Sequence, residues 1–156
     1  EGNRAMRTLG NVLWHFPFFG FVTAAIYWLV GLLLTMLVIA APIGLGLMEF
    51  GKFLLAPFGR AMVSKADLNV AQNPVWKAYS TIIMLLYLPL GIVLLVVSVI
   101  QVVAAFVGIF TIPVALVIAK SLGTILNPVN KVCVPVAVAE ELERRKANAT
   151  LDALGR

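Results

Sequence analysis

Glu49 and Lys52 stand three residues apart in "PIGLGLMEFGKFLLAPFGR" (42–60), where every other residue up to Ala56 is glycine, proline or apolar. On a helix an i, i+3 pair shares a face. An ionisable group at bilayer depth costs a few kcal/mol and marks an ion or proton site between helices. The same pair can instead seat a short helix end at the headgroups, with Lys52 snorkelling and Glu49 neutralising it. The segment starts at one proline, Pro42, and closes at another, Pro57, followed by Arg60. The seating role is therefore the expectation. Lys120 is the third candidate, a base in the second apolar half, and a Glu49–Lys120 ion pair between the halves is open.

Other polar residues in apolar surroundings are few. His15 and Trp14 lie in "LWHFPFFG", a composition that fits an interfacial aromatic belt, and are expected as headgroup anchors together with Arg60 and Lys131. Gln101 is the one amide in the second apolar run and reads as an interhelical hydrogen bond. With one histidine and one cysteine, Cys133, metal clusters and nucleophilic dyads lack residues. Neither a catalytic residue, a cofactor site nor a metal site is expected, and the chain does not read as an enzyme.

The elements that hold these residues repeat. A shift of 71 residues carries Gly20 onto Gly91, Pro42 onto Pro113, Pro57 onto Pro128, Arg60 onto Lys131 and Glu49 onto Lys120. The framework of glycine, prolines and a base predicts an internal duplication. Residues 21–41 and 91–112 are each long enough to span, at ~1.5 Å per residue, a hydrocarbon core of ~30 Å. Proline at 42 and 113 ends or kinks each helix. The segment after it, with only ~14 residues, must re-enter, lie at the interface or fold back as a second helix. Gly44, Gly46 and Gly51 make the first short helix small on one side, which suits close packing in lipid.

The chain is 62% apolar and 12% charged, against ~25% charged in a soluble domain. Residues 8–48 carry no charge except His15, and residues 78–119 carry none. These runs predict an all-α integral membrane protein of two tandem repeats, each a transmembrane helix broken at proline and followed by a short helix. The expected organisation is a first repeat at 8–63, a polar linker at 64–78, a second repeat at 79–134 and a soluble C-terminal helix and tail at 135–156. Arg4 and Arg7 before an apolar run imitate a signal peptide, but the run is too long and stays as an anchor. Met6 reads as a native start, with "EGNRA" before it as a remnant or a processed leader.

The net charge of +5 is spread at the ends of apolar runs, which favours headgroups over nucleic acid. The N-terminus, the linker and the tail all carry Lys or Arg, so the positive-inside rule predicts all three on the cytoplasmic or matrix face. That requires two helical hairpins, while the second apolar run, which begins before Pro89 at "STIIMLLYLPLG", leaves a straight four-helix layout with different breaks open. "NAT" (148–150) fits a glycosylation sequon, unused on such a tail.

"MRTLGNVLW" from Met6, the pattern of Glu49, Lys52, Pro57, Gly59 and Arg60, "ADLN" in the linker, and "TIPV" with Lys120, Pro128 and Lys131 resemble the YccF family of inner-membrane component proteins, over roughly 6–136. The resemblance implies a polytopic protein with two copies of one apolar unit. The family's second copy reads Gly-Ile-Pro and ends Pro-Phe/Val-Gly-Arg-Arg. Here "TIP" and "PVNKV" stand instead, with Asn130 where the glycine falls, as in a divergent member. The expected function is a structural or accessory subunit of a larger membrane complex, in a bacterial or organelle inner membrane. The alternative is a small homo-oligomeric channel or transporter-like component. The implied partners are the lipid bilayer and other membrane subunits or copies of itself.

Overall fold

The computed structural model describes residues 2–16, 18–69 and 71–155. Pro17, inside the aromatic run, lies outside them. The chain is mostly helical, in the order α1 (Gly2–His15), α2 (Gly20–Met36), α3 (Ala41–Leu55), β1 (Arg60–Ser64), α4 (Pro74–Val107), α5 (Ile112–Leu126), β2 (Lys131–Pro135) and α6 (Val136–Ala153). Of these, α4 is long and apolar enough to cross a membrane, as is α5 joined to the 3-10 turn before it (Ile109–Leu126).

The helices break at Leu37–Ala40 and Gly108–Thr111, before the prolines and not at them. Pro42 and Pro113 lie in the first turns of α3 and α5, where the missing N–H would have had no helical partner. The first break places Val38 at φ 60, a left-handed conformation costly for a β-branched residue.

The hairpin α2–α3 closes through small residues. Gly44 and Gly51 of α3 meet backbone or near-backbone atoms of Gly31, Thr35, Ala24 and Trp28 on α2. Such backbone approach is what holds helices together where lipid is as apolar as leucine. Gly46 points elsewhere and packs on the Pro128 carbonyl, which leaves no room for a side chain.

The all-helical expectation needs correction. The exit turns at Pro57 and Pro128 lead into two five-residue strands rich in valine, which pair antiparallel with Met62 opposite Cys133 and Arg60 opposite Pro135. The sheet continues through two more bonds, Lys65 N to Asn130 O (2.9 Å) and Val136 N to Gly59 O (3.1 Å). These extended residues sit between apolar helices, and pairing with each other satisfies backbone groups that neither could satisfy alone. Asn130 adopts φ 57, which asparagine tolerates better than most residues, so the turn survives without the family's glycine.

Two further expectations change. The polar linker is shorter than expected, because α4 already starts at Pro74, capped by the Asn73 side chain on Val75 N (2.9 Å). The N-terminal stretch is not continuous with the first apolar helix. It forms a separate helix, α1, and the chain bends by 77° between α1 and α2. Trp14 packs its indole on Gly20 at that bend. The second half runs as one helix from Pro74 to Val107 with Pro89 inside it.

Candidate functional site

A helix leaves its last four carbonyls without helical donors, and in an apolar environment each must find one. The C-terminus of α3 finds all four. Lys52 O accepts from the Arg60 guanidinium (3.0 Å), Phe53 O from Ala56 N (3.1 Å) and Leu54 O from the Trp14 indole (2.8 Å). His15 Nε2 lies 2.7 Å from Leu55 O; a carbonyl only accepts, so that nitrogen carries the proton.

This corrects the anchor assignment. Trp14 is a buried core residue beside Phe50, Phe53 and Leu54. His15 keeps its Nδ1 buried without a partner among the described residues. The pair "WH" therefore caps α3, and Arg60 bends back to the same end. Lys131 begins β2, opposite Ser64. In the second half the Tyr87 hydroxyl donates to Ile125 O (2.8 Å) and Asn127 N to Gly123 O (3.1 Å), serving the corresponding end of α5.

The charged candidates are drawn into the same region, but not as the Glu49–Lys120 ion pair that was open. Glu49 is salt-bridged to Lys52 through one carboxylate oxygen, and its other oxygen accepts from Cys133 N at 2.9 Å. Lys120 donates to Pro57 O and to Arg60 O, the latter at 3.1 Å. Its ammonium also lies 5.5 Å from the Phe53 ring centroid and 5.9 Å from that of Phe58, within cation–π range. Each side chain thus crosses to the other half. Glu49 of α3 holds β2, and Lys120 of α5 holds the turn that leads into β1. The prolines of those turns, Pro57 and Pro128, are among the most buried side chains.

Around this centre the charged segments meet. Arg7 of α1 reaches Glu140 of α6 (3.4 Å), and Lys146 of α6 reaches Asp67 of the linker (2.8 Å). Hydrogen bonds to Asp67 and Glu143 raise the Lys146 pKa. Hydrogen bonds to Arg145 and Arg144 lower that of Glu141. Burial pushes the Cys133 thiol up, which keeps it protonated and a poor nucleophile.

Chemically this is a lock. One carboxylate oxygen of Glu49 and the ammonium of Lys120 bond backbone atoms that would otherwise be unpaired in an apolar setting. Among the described residues no group of three or more His, Cys, Asp or Glu could hold a metal ion. Asn11 was missed in the sequence; its side chain accepts from Phe58 N at 3.0 Å and ties α1 to the first exit turn. Tyr79 was missed too, and its hydroxyl donates to Ile39 O at 2.5 Å. That bond sets the tip of the first hairpin beside the first turns of α4. The signal for both was a polar side chain at the edge of an apolar run, with no indication of which distant backbone it would reach.

Residues 9–60 match the model of the YccF family, an inner membrane component domain. The matched stretch ends at Arg60 and takes in α2, α3 and the second half of α1, with Trp14, His15, Glu49 and Lys52. No curated protein and no solved structure matches. Residues 9–60 thus resemble a YccF inner membrane component domain, and that match together with the apolar helices points to an inner-membrane location.

Proposed function

We propose that this YccF-domain protein is a non-enzymatic structural or accessory subunit of an inner-membrane complex, built as two repeated hairpin units locked at their bases. The repeat reading is supported by element bounds. The bounds of α3 and β1 recur 71 residues later as those of α5 and β2. Lys65 N to Asn130 O and Val136 N to Gly59 O are related by the same shift, and so are Met62 and Cys133, which face each other. Two equivalent strands paired about their shared centre are what a two-fold-related pair of units produces.

The observation that carries the accessory role is the use of Glu49 and Lys120. A conduction path needs polar groups that can exchange partners with a passing ion. Here both are fixed on backbone groups of the opposite unit. The exterior is apolar over most of its helical surface, with Val107, Ile109 and Phe110 at the second hairpin tip strongly exposed. Such a surface belongs against lipid or other membrane helices. We place the sheet, α6 and the linker on the cytoplasmic or matrix face, both hairpins entering from it, the first lying shallower because its tip is tied beside α4.

The test is the state of the chain extracted in mild detergent at native abundance. The accessory reading expects co-migration with other membrane proteins in one defined assembly. A homo-oligomer that carries an ion flux in liposomes, lost in Glu49→Gln while the fold is kept, would contradict it and favour the channel.

A further inference from the structure

Between the first hairpin and the α4–α5 hairpin lies a cavity of about 510 Å³, within the ~300–1,000 Å³ typical of ligand sites. Its walls include Tyr27, Phe50 and Leu94, and it contains no charged residue. Besides the phenols of Tyr27 and Tyr87, three polar side chains line it: Ser98 and Gln101, one turn apart on α4, and Thr124 on α5. Ser121, one turn before Thr124, turns its hydroxyl back to Val117 O at 2.7 Å. No such internal bond engages Ser98, Gln101 or Thr124 among the described residues. Hydrogen-bonding groups in an apolar, water-poor setting are costly unless something pairs with them. Gln101 therefore does not make the interhelical hydrogen bond expected from the sequence; it is exposed and lines the open side of this space.

We propose that this cavity binds an uncharged glycerolipid through its ester carbonyls, with Gln101, Ser98 and Thr124 donating to them and the apolar walls taking the acyl chains. The hydroxyls and the amide N–H₂ are donors, and ester carbonyls offer acceptors without an ionic headgroup. Donors on both sides of the cavity suit two esters on neighbouring carbons. The absence of any cation from the lining gives a phosphate nothing to pair with. The neutral lipid would lie between the units, so it would bridge the first hairpin to the second beneath the lock.

The purified full chain, in mild detergent, is titrated with dioctanoylglycerol while thermal unfolding is followed. The expected result is a saturable rise in Tm. Gln101→Leu should shift half-saturation roughly three- to tenfold, the equivalent of one net hydrogen bond, and Leu94→Trp, which fills the cavity, should remove the response. If Gln101→Leu does not fold, Ser98→Ala combined with Thr124→Val replaces it, with the same expected weakening. Absence of a saturable rise in the native chain would overturn the proposal, as would an unchanged half-saturation in these variants. An equal response to phosphatidic acid of the same chains, or a stronger one to decylbenzoquinone, would overturn the assignment to neutral esters.

Discussion

Replacing Glu49 isolates the part of the lock that reaches β2. The carboxylate does two jobs, accepting from Cys133 N at 2.9 Å and neutralising Lys52. Its side chain is 19% exposed and that of Lys52 is 49% exposed. So accessible a lysine limits the ion pair to about 0–1 kcal/mol. The strand N–H is different, because nothing else in the described chain replaces the acceptor. Glu49→Leu leaves it unpaired, at about 1–3 kcal/mol, for a total of about 1–4 kcal/mol. Glu49→Gln keeps an amide oxygen in place and loses only the charge, so about 1 kcal/mol is expected. The assay is reversible unfolding in mixed detergent micelles, read by far-ultraviolet circular dichroism. Equal losses for Leu and Gln would refute the reasoning, since they would mean that charge and not the strand N–H matters. A Leu variant as stable as the native chain would refute it too.

Gly46→Ala should cost about 3 kcal/mol or more, because its new methyl meets the Pro128 backbone, which cannot move aside without shifting the exit turn; a loss below about 1 kcal/mol in the same assay would mean the hairpins are packed more loosely. Met62→Cys should form a disulfide with the native Cys133 under mild oxidation, since directly opposed strand residues fall within bridging distance; mass spectrometry finding Ala66→Cys bridged instead would reject the register. The contact between α6 and the linker should depend on pH at the alkaline end. The Lys146 pKa is raised by Asp67, so its contribution is complete below the ordinary lysine value and is lost as pH rises through the raised one. Spin labels at Ala66 and Ala147 should give a distance that broadens only there; a distance independent of pH up to that range and beyond would contradict it.

Much of this architecture was legible because it rests on local rules. Long charge-free runs, prolines that cannot continue a helix and a 71-residue recurrence of glycine, proline and base were enough for apolar helices broken at corresponding places. The strands were not legible. Residues 60–64 and 131–135 are too short to show a period, and they become strands only because each satisfies the other. The i, i+3 pairing of Glu49 with Lys52 was legible, whereas the second partner of Glu49 was not, since it is a backbone N–H 84 residues away. Trp14 and His15 misled for a related reason. Aromatics at the start of an apolar run suit an interface as well as a cap, and only the fold showed three-dimensional proximity to Leu54 and Leu55. Pro89 lies inside α4, which continues as one helix on both sides of it.

The measurement that bears most directly on the account is sidedness. Single cysteines at Thr8, Ala66 and Ala147, in a Cys133→Ser background, are probed with a membrane-impermeant maleimide in sealed inner-membrane vesicles of known orientation. The account predicts that all three label from the cytoplasmic or matrix face and none from the other, because Arg7 contacts α6 and α6 contacts the linker. Labelling of the Ala66 position from the opposite face would separate the linker from the two ends and contradict the two-hairpin arrangement.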